Sequence, residues 1–183
     1  MKNKSLKPYI FTISGLLFGS ILLGYIITSQ HSQIARTIVS GLAKDLAFLN
    51  ESSSIFIFLF IFLNNSIKTL ISLVLGFFFG LIPIIFIIIN GLVIGLVIYI
   101  VGQDYGFSKI ILGLLPHGIF EIYATILTQA MGLWLGMRFY KKISKKEPFK
   151  PNLIWALKKY FKIALPLLLA AALIESFITP LFI

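Results

Sequence analysis

The sequence predicts an all-α membrane protein with about five transmembrane helices, an outer amphipathic helix and one or two short re-entrant or broken helices. Of its 183 residues, 58% are hydrophobic and only 12% are charged, whereas a soluble domain carries roughly 25% charged residues. A chain of this length cannot enclose so much apolar surface in a water-soluble fold. Composition therefore excludes a soluble enzyme, a nucleic-acid-binding domain and a disordered tail. The absence of cysteine excludes disulfides, thiolate metal sites and cysteine catalysis.

Five apolar stretches carry the predicted membrane crossings, because a membrane-spanning helix needs about 20 apolar residues. The predicted helices lie at 8–30, 66–82, 84–101, 118–137 and 158–182. The second and third helices share one long stretch without charge after Lys68. Gly80 and Pro83 mark the turn between them, since proline disfavours a helical conformation at the residue before it.

The first helix follows a lysine-rich start formed by Lys2, Lys4 and Lys7. Signal peptides also start in this way, but the apolar run of about 20 residues is longer than their core region, and no small-x-small cleavage site follows it. We therefore expect an uncleaved signal anchor. With the segment that follows, it forms the first predicted unit, residues 1–52.

Residues 31–52 predict an amphipathic helix that lies on the outer surface of the membrane. Apolar side chains recur at helical spacing, opposite the charged residues Arg36, Lys44 and Asp45. These apolar residues are Ile34, Ile38, Leu42, Leu46 and Leu49.

Two short apolar segments, 55–63 and 110–115, precede polar breaks and are too short to cross the bilayer. The breaks are Asn64-Asn65 and Pro116-His117-Gly118. Each segment could dip part-way into the outer leaflet as a re-entrant segment, provided that protein covers its broken backbone. Alternatively, 55–63 extends the second helix outside the bilayer.

The basic residues predict the orientation of the chain through the positive-inside rule. Twelve of the 16 Lys and Arg residues precede the first helix or lie within 138–162, where Glu147 is the only acid. This distribution places the N-terminus and the 138–162 loop in the cytoplasm and the C-terminus outside. Arg36, Lys44, Lys68 and Lys109 then lie outside. The net charge of +10 divides into +11 inside, +1 outside and −2 within the membrane.

The second predicted unit, residues 53–183, contains a stripe of polar and small residues that recurs after 56 positions. Asn65, Thr69, Ser72, Gly76 and Gly80 align with Glu121, Thr125, Thr128, Gly132 and Gly136. This spacing puts each set on one face of one helix. One interpretation is a parallel internal repeat. The other is a shared seam of small residues, which is common in membrane helices.

Four of the predicted helices contain a G-x-x-x-G motif, which lets helix backbones approach closely in lipid. The pairs are Gly15/Gly19, Gly76/Gly80, Gly91/Gly95 and Gly132/Gly136. Together they predict tight helix packing within the chain, and the same surfaces could also form a homodimer.

Ionisable residues inside a membrane are costly and are therefore candidates for function. His117 and Glu121 share a helix face at i, i+4. Glu175 lies about 20 Å beyond Lys162 along its helix, in the outer half of the bilayer like Glu121. We predict a buried polar cluster of these three residues that shares protons. The alternatives are that Glu121 caps a helix that starts at Gly118 and that a protonated Glu175 serves only helix assembly.

Asn65, Asn90 and Gln129 could extend this cluster or could hydrogen-bond between helices for assembly alone. A His with two Glu residues can bind zinc, so an intramembrane metal-dependent hydrolase is a remote alternative. The chain, however, has only two His residues and no H-E-x-x-H motif. We therefore expect no enzymatic activity, no catalytic residue, no metal and no cofactor.

Several polar and turn motifs resemble those of the stage II sporulation protein M family. They are Asn64-Asn65, Gly76 to Gly80, Pro83, Asn90-Gly91, Leu115-Pro116-His117-Gly118 with Glu121, and Ile174-Glu175 with Thr179-Pro180. The resemblance covers about residues 50–182. Its most specific elements are L-P-H-G-x-x-E and the later I-E-x-x-x-T-P, which occur in the same order.

The resemblance implies a multi-pass cell-membrane protein without known catalytic activity, which acts as a scaffold or subunit in a complex with membrane or cell-envelope proteins. In spore-forming bacteria the named member supports engulfment as the membrane scaffold for cell-wall-degrading proteins. Related proteins in gene clusters for circular bacteriocins are associated with maturation, export or immunity. The alternative function is a small transporter for export or immunity that uses the buried Glu/His cluster. The residues themselves suggest it, through the possible repeat, the possible re-entrant segments and the position of the cluster at helix breaks.

Overall fold

All regular structure in the described part of the chain is helical. The computed structural model describes residues 5–45 and 47–181. The predicted features at Lys2, Lys4 and Leu46, and the last residue of the predicted fifth helix, lie outside this part. Five helices are long and apolar enough to cross a membrane, at Lys7–Gln30, Ser54–Leu75, Leu81–Tyr105, Phe107–Lys145 and Lys150–Leu181. The predicted all-α membrane fold is confirmed.

Seven α-helices form the framework of the bundle. They are α1 (Lys7–Gln30), α2 (Ser32–Asp45), α3 (Ser54–Leu75), α4 (Leu81–Tyr105), α5 (Phe107–Lys145), α6 (Lys150–Lys159) and α7 (Leu165–Leu173). A π-helical turn at Tyr160–Ala164 joins α6 to α7, and a second π-helical turn, Ile174–Ile178, follows α7. The last crossing therefore runs from Lys150 to Leu181 without interruption, and it starts eight residues before the predicted 158.

α3 differs from the predicted helix at 66–82. It begins at Ser54 and ends at Leu75, so the apolar segment 55–63 is its first half and is not re-entrant. The hydroxyl oxygen of Ser53 caps the start by accepting a hydrogen bond from the Phe56 N–H at 3.3 Å. The two asparagines continue the helix because an unbroken helical backbone pairs its own polar groups, which lipid cannot do.

A short turn at 76–80 connects α3 to α4. Gly80 has φ +77°, a left-handed conformation that glycine adopts at little steric cost. The expected turn at Gly80 is confirmed. Pro83 instead lies in the first turn of α4, where proline is tolerated, so α4 starts at Leu81 and not at the predicted 84.

α5 is one continuous helix of 39 residues with Pro116 in its interior. The predicted helix at 118–137 is therefore too short, and 110–115 is a helical segment and not a re-entrant one. Membrane helices tolerate an internal proline because neighbouring helices and local adjustments satisfy the freed carbonyl. At 1.5 Å per residue α5 is about 58 Å long, roughly twice the thickness of the hydrocarbon core.

α1 and α4 run in the same direction and touch through small residues. A Cβ added to Gly91 would overlap the Ser20 side chain, and one added to Gly95 would overlap the backbone of Ile21. From the other side, a Cβ on Gly24 would overlap the backbone of Leu92. We call these contacts of Ser20, Gly24, Gly91 and Gly95 the glycine interface.

α3 and α5 also run in the same direction, and their two aligned stripes face each other. A Cβ on Gly76 would overlap the backbone of Gly132, and one on Gly136 would overlap the backbone of Gly80. One turn earlier, the Ser72 hydroxyl donates a hydrogen bond of 2.6 Å to Oε1 of Gln129. The residues that align in sequence are therefore the residues that bring these two helices into contact.

α2 lies against the end of the bundle where α1 ends. It corresponds to the first part of the predicted amphipathic helix at 31–52 but ends at Asp45, and a separate 3₁₀ helix follows at Ala47–Glu51. Arg36 donates two hydrogen bonds, of 2.8 and 2.7 Å, to the Asp104 carboxylate near the end of α4. This pairing raises the pKa of the Arg36 guanidinium. Ala35 is buried against the bundle, whereas Ile34 and Ile38 are exposed, as expected for side chains that face lipid.

Candidate functional site

His117, Glu121 and Glu175 meet inside the bundle. One ligand-type atom from each residue, an imidazole nitrogen or a carboxylate oxygen, lies within 4.8 Å of the other two. His117 is buried and both glutamates are half-buried. We call these three residues the His/Glu cluster.

Two members of the His/Glu cluster, His117 and Glu121, belong to α5. They share one face of that helix because they are one helical turn apart. α5 begins at Phe107, so Glu121 lies 14 residues inside the helix and Gly118 is an interior residue. The interpretation of Glu121 as a capping residue at a helix start is therefore wrong. No free backbone N–H groups or helix dipole end are available there to explain this carboxylate.

The third member comes from the far end of the chain, where Glu175 lies in the π-helical turn Ile174–Ile178. A π-helical turn accommodates one extra residue and is frequent at functional sites. The next turn places the Thr179 hydroxyl 3.5 Å from Nδ1 of His117. Glu175 and Thr179 thus place the end of the last crossing against the first half of α5.

The His/Glu cluster lies deeper in the bundle than the sequence suggested. Glu121 and Val93 line the same cavity, and Val93 is the central residue of α4, 12 residues after Leu81 and 12 before Tyr105. At 1.5 Å per residue, Val93 is about 18 Å from either end of α4. Glu121 therefore lies close to the middle of the bundle and not in the first turn of a helix near its outer end.

A polar cavity of about 390 Å³ adjoins the His/Glu cluster between α3, α4 and α5. Glu121 and Thr125 form one wall of the cavity, and Asn90 another. The third wall, from α3, contains Asn64, Asn65, Lys68 and Thr69. The two predicted asparagines Asn65 and Asn90 therefore share a cavity with Glu121.

Lys68 also lines this cavity, although the predicted topology has it outside the membrane. It lies 14 residues after the start of α3 and seven before its end, which puts it inside the crossing. With this correction the outer charges sum to zero and the charge within the crossings is −1, while the total stays at +10. The apolar run 55–63 was the sequence feature that could have indicated this position, because it belongs to the same helix as Lys68.

A second, mainly apolar cavity of about 500 Å³ lies between α1, α4 and α5. Leu17, Ile94 and Ile122 are among its apolar lining residues, whereas His117 and Glu121 contribute polar atoms. Glu121 borders both cavities. The His/Glu cluster can therefore be reached from a polar side and from an apolar side.

Gln129 does not belong to the His/Glu cluster. It lies eight residues beyond Glu121 along α5, about 12 Å at 1.5 Å per residue, and its side chain is fully buried against α3. Within the described residues its Nε2 has no hydrogen-bond partner. The amide group therefore contributes to the contact between α3 and α5.

The predicted small-residue motifs have different surroundings. Gly76, Gly80, Gly91, Gly95, Gly132 and Gly136 all lie in close helix contacts. At Gly15 and Gly19, by contrast, an added Cβ would meet nothing within 4 Å in the described structure. The motif of α1 thus faces away from the bundle.

The His/Glu cluster has two chemical capabilities. Two carboxylates at this distance do not both remain ionised in a low-dielectric interior unless positive charge compensates them. The first capability is to share a proton, as carboxylates in proton relays do. The second is to bind a divalent cation, as metal sites with one imidazole and two carboxylates do.

The family model described as stage II sporulation protein M matches residues 10–180. An uncharacterized protein of Methanocaldococcus jannaschii is 29% identical over 177 residues, which cover 94% of each chain. No solved structure matches the chain. The match extends from the first turn of α1 to the end of the last crossing, and the chain therefore belongs to the stage II sporulation protein M family.

Proposed function

We propose that this protein is a non-enzymatic subunit of a complex in the cell membrane and acts there as a scaffold. The observation that carries the proposal is a helical hairpin, residues 137–159, at one end of the bundle. Its tip is exposed, whereas Ala156 near its end is buried in the core. Gly136 contacts Gly80 just before α4 begins, so the nine remaining residues of α5 extend about 13 Å past that end. We call this segment the basic hairpin.

Aromatic contacts join the two helices of the basic hairpin. Phe139 and Phe149 meet edge to face with ring centroids 5.4 Å apart, and Trp134 and Trp155 lie 4.9 Å apart at its base. The Arg138 guanidinium lies 4.9 Å from the Trp134 ring centroid. The positive-inside effect alone needs only charge on a loop. An ordered hairpin adds a defined surface, which favours docking of a partner.

The charge of the basic hairpin indicates the kind of partner. Its basic residues are Arg138, Lys141, Lys142, Lys145, Lys146, Lys150, Lys158 and Lys159, and Glu147 is the only acid. We place this end in the cytoplasm by the positive-inside rule. The proposed partners are membrane or cell-envelope proteins with an acidic cytoplasmic segment, and complementary charge would speed and orient their association.

Crosslinking followed by affinity purification in mild detergent tests the scaffold proposal. We expect stoichiometric partners with the wild type and fewer with Lys145→Gln, Lys146→Gln and Lys150→Gln combined, because these three side chains are exposed at the tip. The control is Lys44→Gln at the other end of the bundle. A partner-free monomer for the wild type, or equal recovery for all variants, contradicts the proposal.

A permease-like function is the second candidate, and the position of Glu121 between the polar and apolar cavities favours it. Transporter sites form at mid-membrane polar positions of this kind. The chain contains no cysteine, so single cysteines at Asn65, Asn90 and Thr125 can report water access. Reaction of these cysteines with a membrane-impermeant maleimide supports a pathway. Their complete protection in every condition contradicts one.

A further inference from the structure

We propose that the His/Glu cluster is a binding site for one divalent transition-metal ion of the zinc class, with His117, Glu121 and Glu175 as its protein ligands. The proposal goes beyond the scaffold function and does not depend on it. It stands on the convergence of three ligand-type atoms within 4.8 Å, drawn from two helices that are far apart in the chain.

The residue types select the class of metal. An imidazole with two carboxylates suits zinc and iron(II), whereas magnesium and calcium prefer oxygen ligands alone. Three protein ligands are the number found in sites that keep a fourth position open. Here the open position can face one of the two cavities that Glu121 borders.

Charge balance favours a dication. Two carboxylates in the middle of a bundle require compensating positive charge. In the part of the chain that the structure describes, the ion pairs join Arg36 to Asp104 and Arg138 to Glu147, and none involves the His/Glu cluster. Lys68 lines the same cavity as Glu121, but no ion pair among the described residues joins it to either glutamate. A bound dication compensates both carboxylates at once, and the residual alternative is protonation of the glutamates.

The surroundings of His117 fit a ligand. Metal-binding histidines commonly donate their second ring N–H to an oxygen atom, which fixes the tautomer. The Thr179 hydroxyl lies 3.5 Å from Nδ1. If it accepts that hydrogen bond, Nε2 is the nitrogen that can bind the metal. Thr179 is therefore a positioning residue of the proposed site.

The spacing of the ligand-type atoms is compatible with a metal. Two ligands at about 2.1 Å from zinc in a tetrahedron are about 3.4 Å apart, and the ligand-type atoms of the cluster lie within 4.8 Å of one another. Rotation of the glutamate side chains can close the remaining difference. A bound metal would then link the π-helical turn that carries Glu175 to α5.

Metal analysis of the purified chain tests the proposal. The full-length protein, prepared without a histidine tag, is stripped with EDTA and incubated with Zn²⁺, Mn²⁺ or Mg²⁺. After desalting we expect about one Zn²⁺ per chain and a thermal midpoint several degrees higher than in the stripped protein. We expect no stable Mg²⁺ binding. Cobalt(II) should give the visible absorption bands of a low-coordinate nitrogen and oxygen site.

Matched variants distinguish the site from surface binding. Glu175→Gln and His117→Gln should weaken zinc binding at least 100-fold, whereas Glu147→Gln and His31→Gln, at positions outside the cluster, should bind as the wild type does. Glu175→Gln keeps the shape of the side chain, so it tests the site even if a His117 variant fails to fold. Less than 0.1 zinc per wild-type chain, or unchanged binding in Glu175→Gln, overturns the proposal. Partner recovery in the crosslinking experiment tests the scaffold proposal separately, so failure of the metal proposal would leave that test unchanged.

Discussion

The glycine interface between α1 and α4 and the His/Glu cluster between α5 and the last crossing bring helices together by different means. At the glycine interface, backbones approach so closely that a single added carbon would overlap an atom of the other helix. At the His/Glu cluster, side chains with polar ends meet across an interior that also contains two cavities. The first contact depends on shape, and the second depends on chemical partners. Added volume should therefore disrupt the glycine interface, whereas loss of polarity should disrupt the His/Glu cluster.

A large side chain at the glycine interface should have the largest effect. Gly91→Leu places four carbons where the first already overlaps Ser20, and we expect a loss of about 3 kcal/mol or more, at the upper end of overpacking costs. Size-exclusion chromatography and thermal unfolding measure the loss of folded monomer. Gly15→Leu is the matched control, because its Cβ meets nothing within 4 Å. Equal damage at both positions would show that shape complementarity does not hold α1 to α4.

Replacement of Glu175 should separate polarity from shape at the His/Glu cluster. In EDTA-treated protein, Glu175→Leu deprives His117 and Glu121 of a polar neighbour and should cost about 1–3 kcal/mol. Glu175→Gln keeps a polar side chain of the same shape and should cost less than about 1 kcal/mol. Thermal unfolding in detergent at neutral pH gives both values. Equal and complete loss in both variants would indicate that the charge of Glu175, and not the polarity of its side chain, is required.

The hydrogen bond between Ser72 and Gln129 should contribute a smaller amount. Ser72→Ala removes the donor to Oε1 of a fully buried amide, and we expect a loss of about 0.6–1 kcal/mol, as is typical between membrane helices. Ser144→Ala is the control, since its hydroxyl bonds only to its own helix on an exposed surface. A loss no larger than that of the control would mean that the glycines alone hold α3 to α5.

The ion pair at the end of the glycine interface should have the smallest effect. Arg36 and Asp104 are exposed, and salt screens such pairs. Arg36→Ala should leave the thermal midpoint nearly unchanged while increasing hydrogen exchange in α2 at low salt. Lys44→Ala should leave exchange unchanged. If Arg36→Ala lowers the thermal midpoint as much as Gly91→Leu does, α2 has a larger structural role than its contacts indicate.

The sequence predicted α1 and α4 closely because long stretches without charge define them. It failed at the starts of α3 and α5, where Asn64, Asn65 and Pro116 resemble the residues that end helices in water. Inside a membrane the cost of unpaired backbone groups keeps such a helix continuous. The misplaced start of α3 also misplaced Lys68, because the position of that residue was derived from the predicted helix.

The His/Glu cluster could be predicted from the sequence only in part. The shared face of His117 and Glu121 follows from a spacing of four residues. The position of Glu175 beside them depends on how the last crossing packs, and the π-helical turn that carries it has no clear sequence signature. The sequence therefore suggested the three residues by their cost in a membrane, and only the fold brings their atoms together.

The uninterrupted length of α5 couples two distant parts of the molecule. Glu121 near the middle of the bundle and Lys145 in the basic hairpin belong to the same helix, 24 residues apart, or about 36 Å. α5 therefore joins the His/Glu cluster to the basic hairpin through one unbroken helix. Over that length, a tilt of α5 by about 5° would displace its far end by about 3 Å, which is enough to break or form a hydrogen bond with a docked partner.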